Sequence, residues 1–109
     1  MATASGSLAA SADTVVLTKP QPDTIAVFEI SGTYTTVTFV FEGNLTGTTY
    51  KPLAAVQADT GASANGTIAP TNSTSRIWNV PCLGCSNVRM RCTALATGSV
   101  NVNAVSLAP

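Results

Sequence analysis

The chain has 109 residues, of which only 9% are charged, and its five basic and five acidic side chains cancel to a formal net charge of zero. An ordinary soluble domain carries about 25% charged residues. Nucleic acid needs a basic patch to replace phosphate counterions, and an anionic membrane surface needs a polybasic segment. The composition argues against both partners, and the length predicts one domain with a core of its own.

The surface of such a chain is expected to associate, because 45% of its residues are apolar and little electrostatic repulsion opposes contact. We therefore expect much of it to be covered by other protein; the alternative is a surface of small uncharged residues without a partner. No apolar run approaches the roughly 20 residues that span a bilayer. The N-terminal segment lacks the regions of a secretory signal, which predicts synthesis in a cytoplasm.

The N-terminal segment, residues 1–12, shows no periodicity, and Leu8 is its sizeable apolar side chain after Met1. It is predicted to be a flexible arm that becomes ordered along a neighbouring molecule, or else a floppy terminus. Residues 13–109 are predicted to form the single domain.

The rest of the chain alternates short runs rich in Val, Ile, Thr, Phe and Tyr with Gly, Pro, Asn and Asp, the pattern of an all-β protein. No segment is suited to be the crossover helix of a parallel sheet. The pattern therefore predicts an antiparallel two-sheet β-sandwich or jelly roll of about eight strands. The predicted strands are 14–18, 24–31, 35–42, 50–57, 67–69, 76–80, 87–94 and 99–107.

Several residues within or between these runs predict where a strand ends, turns or is interrupted. Gly32 is expected to end the second run, and the residues Ala-Thr-Gly at 96–98 to form a tight turn. Pro52 removes a ladder donor, which predicts an edge strand or a break. Ile25–Phe28 is apolar on both faces, which predicts two-sided burial or a bulge.

All three cysteines lie in one stretch, PCLGCSNVRMRC, from Pro81 to Cys92. Zinc needs four ligands, and three cysteines without histidine do not supply them within one chain. A redox C-x-x-C pair usually begins a helix, whereas a strand follows here. Cys82 and Cys85 are therefore interpreted as loop residues packed under the end of the sandwich, with a bridge between them left open.

The strand after this loop alternates with period two, which places Cys92 on the core face and Arg89 with Arg91 on the outer face. The arginine pair can grip a carboxylate, a phosphate or a partner's carbonyl groups, or it can simply be solvated. The chain has no histidine for a nucleophilic triad, its acids are scattered, and it has no phosphate-cradling loop. We therefore expect no enzyme and no cofactor.

Three aromatic side chains are candidates for stacking on a sugar: Tyr34, Tyr50 and Trp78. Trp78 follows Ile77 in a short strand, so that one of the two faces the core, and the core position is favoured for Trp78. Tyr34, next to Gly32, is expected to be the most exposed.

The order of strands and turns in residues 13–107 resembles that of a β-sandwich module of tailed-bacteriophage virion proteins. The resemblance is carried by turns and strands, and departures are the cysteine-bearing loop and one extra residue near Phe28. The matching short motifs are Ser31-Gly32-Thr33, Phe41-Glu42-Gly43, Tyr50 with Pro52-Leu53, Val88-Arg89-Met90-Arg91, Thr93-Ala94 and Thr97-Gly98.

The resemblance implies a structural role in the virion. One expectation is a capsid decoration (cement) protein, a homo-dimer or homo-trimer that binds the outer capsid surface and bridges major capsid protein subunits. The expected interface residues are then Leu8, Val15, Arg89 and Arg91. The alternative is a tail-fibre or baseplate module that binds carbohydrate or the host surface through Tyr34, Tyr50 or Trp78.

Overall fold

A computed structural model of the chain describes residues 1–18, 23–45, 49–58, 60–64, 67–68, 75–82 and 84–108. These residues form antiparallel strands and contain no helix, so the predicted all-β antiparallel class is confirmed. None of the described segments is a helix with the length and hydrophobicity to cross a membrane. The strands are β1 (Thr3–Leu8), β2 (Thr14–Thr18), β3 (Ile25–Asn44), β4 (Lys51–Pro52), β5 (Ala55–Gln57), β6 (Ser63–Ala64), β7 (Thr67–Ile68), β8 (Arg76–Pro81) and β9 (Asn87–Leu107).

Two long strands, β3 and β9, organise the fold by pairing from Ile25 opposite Leu107 to Asn44 opposite Asn87. The nine described strands are hydrogen-bonded into one sheet that folds into two layers, which are called the first and the second sheet. The first half of β3 and the second half of β9 lie in the first sheet, in the order β1, β9, β3, β8, β5, β6. The other halves lie in a second sheet, where β2 flanks β9 and the short strands β4 and β7 flank β3. One continuous ladder thus folds over to form both layers.

Aromatic side chains join the two layers in the core. The rings of Phe28 in the first sheet and Phe41 in the second have centroids 5.0 Å apart, and Phe39 meets Trp78 edge to face at 5.3 Å. Such tilted and edge-to-face contacts are the preferred geometry of aromatic pairs. Burial of these rings stabilises the packing of one half of the β3–β9 ladder on the other.

The ladder bends near its middle, between residues 32–38 of β3 and residues 93–99 of β9. Gly32, Thr97 and Gly98 have positive φ angles there, and the register shifts by one residue between Thr38 and Phe39. The predictions of a strand end at Gly32 and of a tight turn at 96–98 are therefore wrong. The special backbone conformations were correctly located, but they bend two continuous strands instead of ending them.

The apolar run in residues 25–28 contains no bulge, contrary to one of the two explanations that the sequence allowed. Its pairing with β8 and β9 is unbroken, and the irregularity lies ten residues further on. Ala26 and Phe28 face the core, Val27 is half-buried, and Ile25 is exposed. The predicted break at Pro52 is confirmed, because the run 50–57 divides into β4 and β5.

The segment predicted to be a flexible arm, residues 1–12, contains β1, which pairs with the second half of β9 from Thr3 opposite Val105 to Leu8 opposite Val100. The prediction is corrected in this respect: residues 3–8 extend the first sheet. The side chains of this segment are mostly small, so its sequence shows no hydrophobic alternation that would predict a strand. It forms a strand because its backbone pairs with β9, which a local sequence pattern cannot show.

Candidate protein-binding surfaces

The outer face of the second sheet holds a cluster of Arg89, Arg91, Glu42 and Tyr50. Glu42 and Arg89 are directly opposite in the β3–β9 ladder, and Arg89 Nε donates to Glu42 Oε1 over 2.8 Å. Arg91 donates to the same carboxylate from Nε over 3.0 Å and from a terminal nitrogen over 3.1 Å. The guanidinium carbon of Arg89 lies 3.8 Å from the centre of the Tyr50 ring.

Electrostatics keep this cluster ionised. Hydrogen bonds from Arg91 lower the pKa of the Glu42 carboxyl below its usual value, and those from Arg89 act in the same direction against the effect of burial. The pKa of Arg91 is raised by the same hydrogen bond. Of the alternatives that the sequence left open for the arginine pair, the structure shows contact with a carboxylate, and that carboxylate belongs to the chain itself. The cluster is therefore a structural ion-pair network between β3 and β9.

The other two residues expected at an interface lie inside the molecule. Leu8 is 0% exposed and Val15 is 5% exposed, and both belong to the core between the sheets. Their side chains are enclosed by their own chain and offer no surface to a partner, which corrects the expectation. Val16, the neighbour of Val15 on β2, is the exposed one.

The three aromatic residues considered for sugar stacking are not brought together. Tyr34 is 3% exposed, which corrects the expectation that it is the most exposed of the three, and Trp78 is 2% exposed in the aromatic core. Tyr50 is half-buried beneath Arg89. No shared ring platform forms from these residues, so the placement does not favour the carbohydrate-binding alternative.

The side chains of all three cysteines are buried. Cys85 N–H donates to the Cys82 carbonyl over 3.0 Å, so the pair spans a turn at the end of β8. Cys92 faces the core as predicted, and burial raises the pKa of its thiol. Within the described residues no group of three or more Cys, Asp or Glu side chains is arranged to hold a metal ion.

The outer face of the first sheet carries an apolar surface that the sequence did not identify. Three of its large side chains are strongly exposed: Ile25 at 40%, Ile77 at 41% and Leu107 at 42%. Val27 and Val105 are half-buried between them and are paired across the β3–β9 ladder, as Ile25 is with Leu107. We call this surface the apolar face and define it by Ile25, Val27, Ile77, Val105 and Leu107.

The surroundings of the apolar face are polar and include two charged residues, Glu29 and Arg76, which line a depression beside Ile77. Asn79 and Asn103 border it in the strand register, and Glu29, which pairs with both Ile77 and Asn103, contributes a carboxylate. A shallow depression lined in part by Val27, Ile77 and Val105 runs across it. Contiguous exposed apolar area on a sheet with a polar rim is typical of a protein-binding surface.

One signal in the sequence could have found this surface. The neighbours Ile77 and Trp78 are both large and apolar in a six-residue strand, so burial of the indole leaves the isoleucine outside. The same argument applies to Ile25 beside Ala26. The partners Val105 and Leu107 become visible only through the pairing of β9 with β3.

The fold and its surfaces define a class of protein: a two-layered, antiparallel all-β protein with an exposed apolar surface on one sheet. Residues 21–106 match the family model described as XepA, and the chain belongs to that family. No curated protein matches the sequence closely enough to name a relative.

Two solved structures are similar in fold. The SPBc2 prophage-derived protein YomS superposes with a TM-score of 0.75 at 15% identity, covering 95% of this chain and 93% of that one. The PBSX exported protein XepA superposes with a TM-score of 0.71 at 16% identity, covering 95% of this chain and 37% of that one, so this chain spans about a third of XepA. The family match and these prophage-derived neighbours support a phage-associated protein, and the resemblance to phage proteins seen in the sequence is confirmed at that level.

Proposed function

We propose that the chain is a non-enzymatic structural protein of a phage particle, which binds the outer surface of the capsid through its apolar face and stabilises it by bridging major capsid protein subunits. The observation that carries the proposal is the apolar face itself, with Ile25, Ile77 and Leu107 exposed on the outer face of the first sheet. Burial of such side chains in a protein contact stabilises it by roughly 25 cal/mol per Å² of apolar area.

The rest of the surface supports a binding role over a catalytic one. One of the buried acids, Glu42, is paired with Arg89 and Arg91. Small uncharged side chains dominate the chain, which suits a surface occupied by neighbouring subunits, and a repeated capsid lattice lets modest contacts add through avidity. The neighbour XepA is described as an exported protein, and export or release with the particle is compatible with this role.

The test is co-sedimentation of the purified chain with capsids of the phage that encodes it, followed by electron microscopy of the complex. We expect stoichiometric binding, and we expect Ile77→Lys to abolish it, because the ammonium group cannot be buried in an apolar contact. Leu45→Lys is the matched control: Leu45 is 65% exposed but lies at the end of β3, away from the apolar face.

Two outcomes contradict the proposal. If Ile77→Lys and Leu45→Lys bind capsids equally well, the apolar face is not the contact. If the wild-type chain is found on the tail or binds no part of the particle, the capsid role is wrong.

A further inference from the structure

Cys82 and Cys85 are the first and fourth residues of a tight turn that joins β8 to β9. Cys85 N–H donates to the Cys82 carbonyl over 3.0 Å, which is the hydrogen bond that closes a four-residue β-turn. Gly84 has a φ of 86°, the conformation that a type II turn requires at its third position. Such a turn brings its first and fourth Cα atoms to less than about 7 Å, and a disulfide joins Cα atoms that are about 4.4–6.8 Å apart. The backbone therefore holds the two cysteines at a separation that a disulfide can span.

The ends of this turn are fixed by hydrogen bonds to both ends of β3. Cys82 N–H donates to the Thr24 carbonyl over 2.9 Å, immediately before β3 begins. Ser86 N–H donates to the carbonyl of Asn44, the last residue of β3, over 2.7 Å. The turn thus connects β8 in the first sheet to the beginning of β9 in the second sheet. Because this backbone is already ordered by the fold, a bond between the two side chains requires little further loss of conformational entropy.

The side chains of both cysteines lie in the same hydrophobic cluster inside the molecule, where Cys82 is 2% exposed and Cys85 is 8% exposed. A Cβ placed on Gly43 would lie 2.8 Å from Cys85 Sγ, so this sulfur packs against the backbone of β3. The third cysteine lies elsewhere. Cys92 is opposite Phe39, four residues along β3 from Gly43 and therefore roughly 13 Å away. Cys82 is accordingly the cysteine that the fold brings to Cys85.

Cys85 can be reached from solvent. It lines a depression beside the last residues of β3, together with Leu45, Lys51 and Leu53. The ammonium group of Lys51 gives this depression a positive charge, which attracts an anionic reagent such as glutathione disulfide. Cys85 is therefore the thiol that reacts first, and the more deeply buried Cys82 is the one that completes the bond.

We propose that Cys82 and Cys85 form an intramolecular disulfide when the chain meets a small-molecule disulfide in oxidising surroundings, and that this bond locks the connection between the two sheets. In the first step the Cys85 thiolate attacks the reagent, a mixed disulfide forms, and one thiolate of the reagent leaves. In the second step the Cys82 thiolate attacks Cys85 Sγ, and the other thiolate of the reagent leaves. The two cysteines lose two electrons and two protons in total, and the reagent gains them as two thiols.

The bond is a structural one. A catalytic C-x-x-C pair begins a helix that stabilises its thiolate, whereas this pair is followed by β9. A disulfide stabilises a fold mainly by restricting the unfolded chain, and the closed loop here is short. We therefore expect the bond to raise the melting temperature by about 3–10 °C. The inference does not rest on the capsid role, because its test involves only the purified chain.

The test is oxidation of the purified, folded chain with glutathione disulfide, followed by alkylation of the remaining thiols in denaturant, tryptic digestion and mass spectrometry. Tryptic cleavage at the arginines leaves Cys82 and Cys85 together in the peptide 77–89 and Cys92 in the peptide 92–109. We expect the first peptide to lose the mass of two hydrogen atoms and to carry no alkyl group. The second peptide should be alkylated at its cysteine.

Thermal unfolding of the oxidised and the reduced chain measures the stabilisation. Cys85→Ser should lose both the bond and the rise in melting temperature. Cys92→Ala is the matched control, because it removes a buried thiol that lies outside the turn, and it should retain both.

Three mass-spectrometric results overturn the proposal: alkylation of both cysteines in the peptide 77–89 after oxidation, a glutathione adduct that persists on Cys85, or a cross-link to Cys92. A bond that forms only in denaturant also overturns it, since the native turn is then not what brings the thiols together. Equal melting temperatures of the oxidised and the reduced chain overturn the locking role of the bond. If a variant does not fold, the peptide masses and melting temperatures of the wild type decide.

Discussion

At the scale of single residues, Glu42 and its two arginines form a hydrogen-bonded ion-pair cluster. Glu42 is 6% exposed, and three hydrogen bonds from Arg89 and Arg91 replace the water that its carboxylate loses. A buried carboxylate without partners would be costly, whereas one held by guanidinium groups stays ionised and orders β3 against β9. The arginines that the sequence marks as available for a partner are thus committed within the chain.

The substitution Glu42→Gln tests this assignment. It should lower the free energy of unfolding by about 1–3 kcal/mol near neutral pH, because the charge-assisted hydrogen bonds are lost and two arginines remain side by side. Chemical denaturation measures it, with Glu29→Gln as the exposed control, expected to change stability by less than about 0.5 kcal/mol. Equal effects of the two substitutions would refute the structural role of the ion pair.

The same pair predicts a dependence of stability on pH. The folded-state pKa of Glu42 lies below its usual value of 4.5, so its stabilisation is fully present above that value and is lost as the pH falls through the folded-state pKa. The difference in the free energy of unfolding between the wild type and Glu42→Gln should therefore become smaller at acidic pH. A difference that is unchanged down to pH values below the folded-state pKa would contradict the assignment.

At the scale of elements, the bend of the β3–β9 ladder decides the architecture. Gly98 has a φ of 96°, and a Cβ there would lie 2.0 Å from the Thr33 carbonyl oxygen of the opposing strand. Only glycine allows this approach of two backbones together with this conformation. The bend in turn brings Phe28 against Phe41 and closes the core.

Gly98→Ala is therefore expected to destabilise the fold by at least about 3 kcal/mol, since backbone strain and a steric clash act together. Gly61→Ala is a matched control with a φ of 71° but no atom within 4 Å of the added Cβ, and it should cost only about 1 kcal/mol. Thermal and urea unfolding compare the two variants. If Gly98→Ala and Gly61→Ala lower the free energy of unfolding by the same amount, the close backbone contact at the bend is not what requires glycine at position 98.

At the scale of the whole molecule, the five residues that define the apolar face carry no charge, and Glu29 and Arg76 lie at its border. The ionic cluster of Arg89, Arg91 and Glu42 lies instead on the outer face of the second sheet. Contacts through the apolar face are therefore expected to depend mainly on the burial of apolar side chains.

Capsid binding should accordingly change little between about 0.05 and 1 M NaCl, a range over which the screening length falls from more than 10 Å to about 3 Å. Capsid co-sedimentation at both salt concentrations measures this. Release of the chain at high salt would instead point to the arginine cluster as the contact.

Some of this architecture could be predicted from local patterns. The strands 14–18 and 76–80 and the inward position of Cys92 follow from period-two alternation, which any strand with one buried face must show. The special backbone at residues 32 and 97–98 was also evident from the glycines. Whether it ends a strand or bends one depends on how far the opposing strand continues, and neighbours in the sequence do not contain that information.

The amino-acid sequence by itself determined the all-β class, the positions of most strands and the low charge, because these depend on side chains within a few residues of each other. Only the tertiary structure decided that Glu42 holds Arg89 and Arg91, 47 and 49 residues away, and that β1 joins the first sheet. It also decided that Ile25 and Leu107 share one exposed face. Each of these follows from long-range strand pairing, in which the partner of a residue is chosen by the register of the whole sheet.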